Sequence, residues 1–302
     1  MSLPEEISLD EWKKRYPSFN YHTAIQALSS LQKEDRLDLF LYLSALARSY
    51  VPNNLTKFYS LLGFDDEAHM DQKKLSTLER EKIYLSAPKD LNDPFDCGCA
   101  FYDFENRHNA ANYNKIVEQN MSLLPSQIRI CSFTACGVQS MPMWAHYSNN
   151  HKGFCVEYDK TLEQNELLRS LVYPIQYSET RSDISDLMDE QIRLSFARVL
   201  QPQGYVRAGI EAQPLAQITS MLYNVKHSSW SFEQEYRLSV ASNTPGLPEL
   251  MVKPSKIFIG LNCPQIYSDR LKEIGKVLDV PVYTMKYYER SKSFNLVADQ
   301  VK

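Results

Sequence analysis

The sequence predicts an α+β protein. Short β-branched and aromatic stretches recur at uneven spacing, and helix-compatible segments of unequal length separate them. Strand and helix do not alternate strictly, and no all-strand run occurs, so neither a parallel doubly wound sheet nor a sandwich is expected. Composition agrees with a globular chain. Of 302 residues, 43% are hydrophobic and 23% charged, and only 9 are glycine. Lys plus Arg is 33 and Asp plus Glu 37, giving a formal net charge of −4. A chain that holds nucleic acid by bulk charge is usually basic, and this one is not.

The elements follow in order. Ser8-Leu9-Asp10-Glu11 is a capping box, with Ser8 at N-cap and Glu11 three residues on. Residues 35–50 place Leu37, Phe40, Leu41, Leu43, Leu46 and Ala47 at helical spacing, and Pro52-Asn53-Asn54 stops that helix. Residues 1–53 thus read as a helical appendage, and 54–302 as the α+β domain. Strands are expected at 55–60, 82–87, 129–134, 153–158 and 172–177. Helices are expected at 66–81, at 104–124 ending before Pro125, and at 142–149 with Pro142 near the first helical position. Residues 183–200 and 206–227 are low in β-branched residues and form a long helical insertion, about 183–227. Strands return at 235–240, 256–261 and 282–287, with a helix at 268–278.

The chain starts Met1 then Ser-Leu-Pro-Glu-Glu, without the basic and apolar regions of a signal peptide. No window approaches the ~18 apolar residues of a membrane span. A cytoplasmic protein with reduced thiols, and no membrane partner, is therefore expected. Cys97 and Cys99 are one residue apart, and Cys131 and Cys136 four, so no zinc knuckle pair is present.

Four motifs could carry chemistry. In Trp230 to Leu238, an extended backbone from Glu233 onward would set Glu233, Glu235 and Arg237 on one face. Two neighbouring carboxylates repel, so this is either a solvated edge with Arg237 as counter-ion or a site that uses the charge. Ser132 and Thr134 would share a face of the 129–134 strand, as core-edge hydroxyls or as ligand donors. Met143-Trp144-Ala145-His146-Tyr147, followed by His151-Lys152-Gly153-Phe154, is either a packed helix or a platform for a flat heteroaromatic ligand. Pro88 to Asp96 contains Asn92 and Asp93 beside Pro94, a structural turn or a ligand loop.

Together these motifs resemble the bacterial family known as domain of unknown function 2971. That family shows an aromatic-Lys-aromatic opening strand, an Asn-Asp-Pro-Phe-Asp loop, Met-Trp-x-His-Tyr with His-x-Gly-Phe, and Trp-x-x-Glu-x-Glu-aromatic-Arg. Here they stand at Thr56 to Tyr59, Pro88 to Asp96, Met143 to Phe154 and Trp230 to Arg237. The resemblance runs from about 55 to 290.

A weaker resemblance is to the ADP-ribosyltransferase superfamily: a basic residue on an early strand, then Ser-x-Thr, then Glu-x-Glu. It implies a split-sheet core and NAD as substrate, with no metal. Glu235 would be the catalytic carboxylate and Glu233 would orient or deprotonate the acceptor. Lys57, Tyr59, Asn92, Asp93, Ser132, Thr134, Trp144, His146, Tyr147 and Arg237 would line the nucleotide site. Lys57 stands where that superfamily usually has Arg or His. The implied activity is ADP-ribose transfer to an unknown protein or nucleic-acid acceptor, or NAD hydrolysis, in a bacterial toxin or anti-phage defence effector.

Two other readings stand beside it. One is a non-catalytic module that meets a partner protein through the N-terminal helices or the 183–227 insertion. The other is a metal-dependent nuclease using Asp93, Asp96, Glu157, Asp159, Glu233 and Glu235.

Overall fold

A computed structural model of the chain describes residues 8–29, 36–63, 68–96, 98–107, 110–200, 204–241 and 249–301. The fold is mixed α+β, and the chain divides into two compact units: residues 1–51, 87–128 and 173–230 form one, and 52–86, 129–172 and 231–302 the other. Among the described residues no helix is long and apolar enough to cross a membrane.

The first unit is mainly helical. Its helices are Leu9–Arg15, Tyr21–Ser29, Arg36–Ser49, Ala111–Ser126, Ser185–Leu200 and Gly204–Met221. The Ser8–Glu11 capping box forms as the sequence dictates, each partner satisfying the other's backbone N–H. Leu39, Leu43, Tyr102, Met188, Ile218 and Leu222 close a shared core, with Trp12 and Tyr21. Within the segment expected as an appendage, 1–53, the side chains from Trp12 to Ala47 that are buried share a core with Met188, Ile192, Ile218 and Met221 of the later helices. Two short parallel strand pairs complete the unit, Ala100–Phe101 with Ser182–Asp183 and Gln176–Ser178 with Val225–His227. Three expectations change here. The helix over 111–126 runs past Pro125 by one residue instead of stopping before it. The segment expected as one helix to 227 breaks after Met221, and Val225–His227 is a strand. The strand expected over 172–177 is two, Val172–Pro174 and Gln176–Ser178.

The second unit is built on a sheet. Seven of its strands are β1 (Asn54–Tyr59), β2 (Ile128–Thr134), β3 (Phe154–Asp159), β4 (Glu235–Ala241), β5 (Lys256–Ile259), β6 (Val282–Tyr287) and β7 (Leu296–Gln300). Their order is β7-β6-β5-β3-β1-β2-β4, so three segments far apart in sequence, β1, β2 and β4, are neighbours. β1 lies antiparallel to β3, from Asn54 opposite Asp159 to Tyr59 opposite Phe154, and antiparallel to β2 with Thr56 opposite Thr134. β5 and β6 are parallel, joined by the helix Gln265–Leu278.

Register sorts the side chains. Counting outward from these pairs, Leu55, Lys57, Tyr59, Cys131, Phe133, Phe154, Val156 and Tyr158 share one face. Tyr59 stacks on Phe154 at 4.7 Å, and the Tyr59 and Tyr158 hydroxyls meet at 3.1 Å. The opposite face carries Thr56, Phe58, Ser132, Thr134 and Cys155. The helix Met141–Tyr147 covers it, Trp144 meeting Phe58 edge-on at 5.0 Å. Past that helix, Asn149, Asn150 and His151 all have left-handed backbones (φ +50°, +53° and +65°). They turn the chain into β3 through Gly153, where a Cβ would lie 1.9 Å from the Tyr59 carbonyl oxygen.

Candidate active site

The Glu-x-Glu segment is not one continuous strand. Ser228–Glu233 is a 3₁₀ turn, Gln234 has a left-handed backbone (φ +44°), and β4 starts at Glu235. Two residues of extended chain would aim both carboxylates the same way, and the turn cancels that alternation. This corrects the expectation that Glu233, Glu235 and Arg237 share a face.

Glu233 goes to the helix side of the sheet. It is 3% exposed, and the Tyr147 hydroxyl donates to its Oε1. The Thr134 hydroxyl donates to the Glu233 carbonyl and accepts the Cys136 N–H at 2.9 Å. The Cys136 thiol points at the carbonyls of Phe232 and Glu233, at 2.9 and 3.2 Å. His146 and Phe232 are both exposed, their rings 6.1 Å apart. The result is a buried carboxylate with a phenol on it and an aromatic rim open to solvent.

Glu235 goes the other way. Its Oε1 accepts from Nε and Nη2 of Arg237 at 3.0 and 2.7 Å, and the two residues are 5% and 1% exposed. This pair lies on the face of Cys131 and Lys57: burial raises the Cys131 thiol pKa, the Lys57 ammonium opposes that rise, and the Glu235 charge adds to it. Lys57 itself donates to the Ser132 carbonyl at 3.3 Å and sits 5.4 Å from the Tyr59 ring centre.

The remaining residues sort as follows. Trp144 is wholly enclosed, its indole N–H donating to Val138 O at 2.7 Å, so it is a core residue with no surface for a ligand. Thr134 is likewise spent on holding the turn before Glu233. Burial pushes the Tyr59 hydroxyl well above the usual phenol range. Asn92 and Asp93 belong to the first unit, and the residues above to the second. The six acids of the nuclease reading do not gather. Glu157 pairs with Lys256 at 2.7 Å, Asp159 accepts from Thr161, and Asp96 pairs with Lys226. Among the described residues no three His, Cys, Asp or Glu side chains form a metal-sized group.

Cys136 and Phe232 were not read from the sequence as site residues. In the sequence Cys136 stands out only by its spacing from Cys131, and Phe232 only as part of the Trp230–Leu238 motif. Burial raises the Cys136 thiol pKa, partly opposed by the Thr134 hydrogen bond. Since the thiolate is the nucleophile, Cys136 should alkylate slowly with iodoacetamide at pH 7 and accelerate only above the ordinary thiol value of about 8.5. Peptide mapping across pH checks this; labelling at pH 7 as fast as a free thiol contradicts it.

A mixed α+β chain with two buried carboxylates flanking a left-handed residue defines a class by architecture, not by activity. Residues 143–238, from the Trp144 helix to the middle of β4, match the model of the family described as protein of unknown function (DUF2971). No curated protein and no solved structure matches the chain.

Proposed function

We propose that this protein consumes NAD, breaking the bond between nicotinamide and ribose and passing ADP-ribose to water or to an acceptor. The observation that supports this reading is the adjacency of β1, β2 and β4, which sets Lys57, the Ser132-x-Thr134 pair and both glutamates in one unit. The proposal takes these strands as the counterpart of the ADP-ribosyltransferase core that the sequence resemblance implies.

The chemistry asks for a carboxylate beside a cation. The C1′–N bond breaks, nicotinamide leaves neutral with the electron pair, and the ribose carries positive charge as an oxocarbenium ion. A buried carboxylate stabilises that charge better than water does. The nucleophile then adds to C1′ and loses its proton. We assign this role to Glu233, whose Oε1 accepts the Tyr147 hydroxyl and whose chain neighbour Phe232 is exposed beside His146. That reverses the roles the superfamily resemblance implies. Tyr147 would hold Glu233 in place, and His146 and Phe232 would bracket the nicotinamide ring.

The test is nicotinamide release from NAD by the purified chain. Glu233→Gln should lower it by about 100-fold or more, with the thermal melting point nearly unchanged and EDTA without effect. Wild-type release by Glu233→Gln would overturn the assignment. A second reading, a binding module, draws on the structural use of Trp144 and Gly153. An intact fold with neither nicotinamide release nor a melting shift with NAD would favour it.

A further inference from the structure

The first unit contains a cavity of about 420 Å³ that the NAD reading does not use. Its lining includes Trp230, Phe95, Arg181, Lys226, His227 and Ser178, all within that unit. The volume falls at the lower end of the ~300–1,000 Å³ typical of small-ligand sites.

Two flat apolar surfaces meet it. Phe95 is 62% exposed on the loop after Pro94. The turn that presents it is fixed: Asp93 Oδ1 accepts the Phe95 N–H at 2.9 Å, and the Asp93 carbonyl accepts the Asp96 N–H at 3.0 Å. Trp230 is half-exposed. Lys226 lies 4.9 Å from its ring centre and is itself anchored by Asp96 at 3.6 Å, both side chains being almost fully buried. A cation thus lies over one face of the indole.

The polar groups are equally ordered. The pairing of Ser178 with His227 sets the hydroxyl and the imidazole side by side. Glu179 is engaged by His227 at 3.3 Å and by the Ser228 hydroxyl, and Ser229 Oγ meets His227 Nδ1 at 2.9 Å. Arg181 is exposed. Its Nε donates to Gly98 O at 3.1 Å, as does Nη2, which fixes the guanidinium and leaves Nη1 without a hydrogen bond among the described residues. It makes no ion pair among them either. Fixed aromatic faces, hydroxyls and one positioned guanidinium match a planar base, a sugar and one phosphate.

We propose that this cavity binds a purine nucleoside monophosphate, with the base against Trp230 and Phe95 and the phosphate on Arg181. The volume favours one nucleotide over a dinucleotide, and no residue of the Glu233 site takes part, so this inference does not rest on the NAD reading.

The probe is AMP, with adenosine as its uncharged counterpart. Trp12 and Trp144 are buried, so the half-exposed Trp230 reports by fluorescence, while calorimetry gives affinity. AMP should bind saturably, quench the fluorescence and bind at least 10-fold tighter than adenosine. Arg181→Ala should remove that preference and leave adenosine binding as in the wild type. Trp230→Phe should keep AMP binding and abolish the quench. No saturable binding of AMP or GMP would overturn the proposal, as would equal affinity for AMP and adenosine, or an unchanged preference in Arg181→Ala. Because Glu233→Gln leaves this cavity intact, AMP binding by that variant separates failure here from failure of the NAD reading.

Discussion

Arg237→Ala should destabilise the second unit by about 3–5 kcal/mol, the cost of stranding a buried charge. Arg237 is 1% exposed and Glu235 5%, so water cannot take over when the guanidinium is removed. The methylene stem is lost as well, and its volume is among the largest fully buried in the chain. Glu235→Gln should cost less, because the amide oxygen still accepts from the guanidinium. Replacing both residues by apolar side chains of similar volume should recover much of the loss, since a buried pair often contributes little net stability over a packed hydrophobic core. Denaturant midpoints of the four proteins check this. An Arg237→Ala protein as stable as wild type would show that the pair is not buried in solution. The comparison also guards the activity assay: lost turnover in either glutamate variant counts as chemistry only where the denaturant midpoint is kept.

Gly153→Ala should be as damaging, by at least about 3 kcal/mol, because the obstacle is backbone. The new Cβ would fall 1.9 Å from the Tyr59 carbonyl oxygen and 3.2 Å from the Leu61 nitrogen, and neither can rotate away. Gly260→Ala meets the same kind of obstacle, 2.3 Å from the His151 carbonyl oxygen. Gly98→Ala finds its nearest atom at 3.6 Å and should be close to neutral. Thermal melts of the three variants give the ranking. A stable Gly153→Ala protein would mean that β1 and the entry to β3 lie farther apart than described.

The strands were legible where β-branched and aromatic residues cluster. β1, β2, β3 and β6 fall within about one residue of expectation, because their burial pattern is written in the side chains. The capping box was legible for the same reason, since two side chains complete it locally. What escaped detection depends on distant partners. β7 carries Leu296-Val297-Ala298-Asp299-Gln300, whose strand character comes from pairing with β6. Residues 225–227 follow an apolar helix without a Gly or Pro stop, and only pairing with 176–178 makes them extended. In the site, the sequence named both glutamates but not their separation, because that depends on one backbone angle at Gln234. The Phe95–Trp230 cavity was split between two motifs, its two aromatic residues 135 positions apart, and a linear reading had no reason to join them.

The connector from Trp144 to β3 has a consequence for anyone who maps tolerance by replacing each residue in turn. Asn149, Asn150 and His151 hold a backbone shape that most side chains resist, and each donates or accepts a bond that fixes the strand entry. Gly153 admits nothing larger. Such a map would show a dense intolerant stretch at 149–153, with exposed polar residues in it, and would resemble the footprint of catalysis. It would instead trace a joint. Function and architecture can be told apart there by one comparison: Asn150→Gly keeps the backbone shape and removes the side chain, and should leave the protein folded and its chemistry intact.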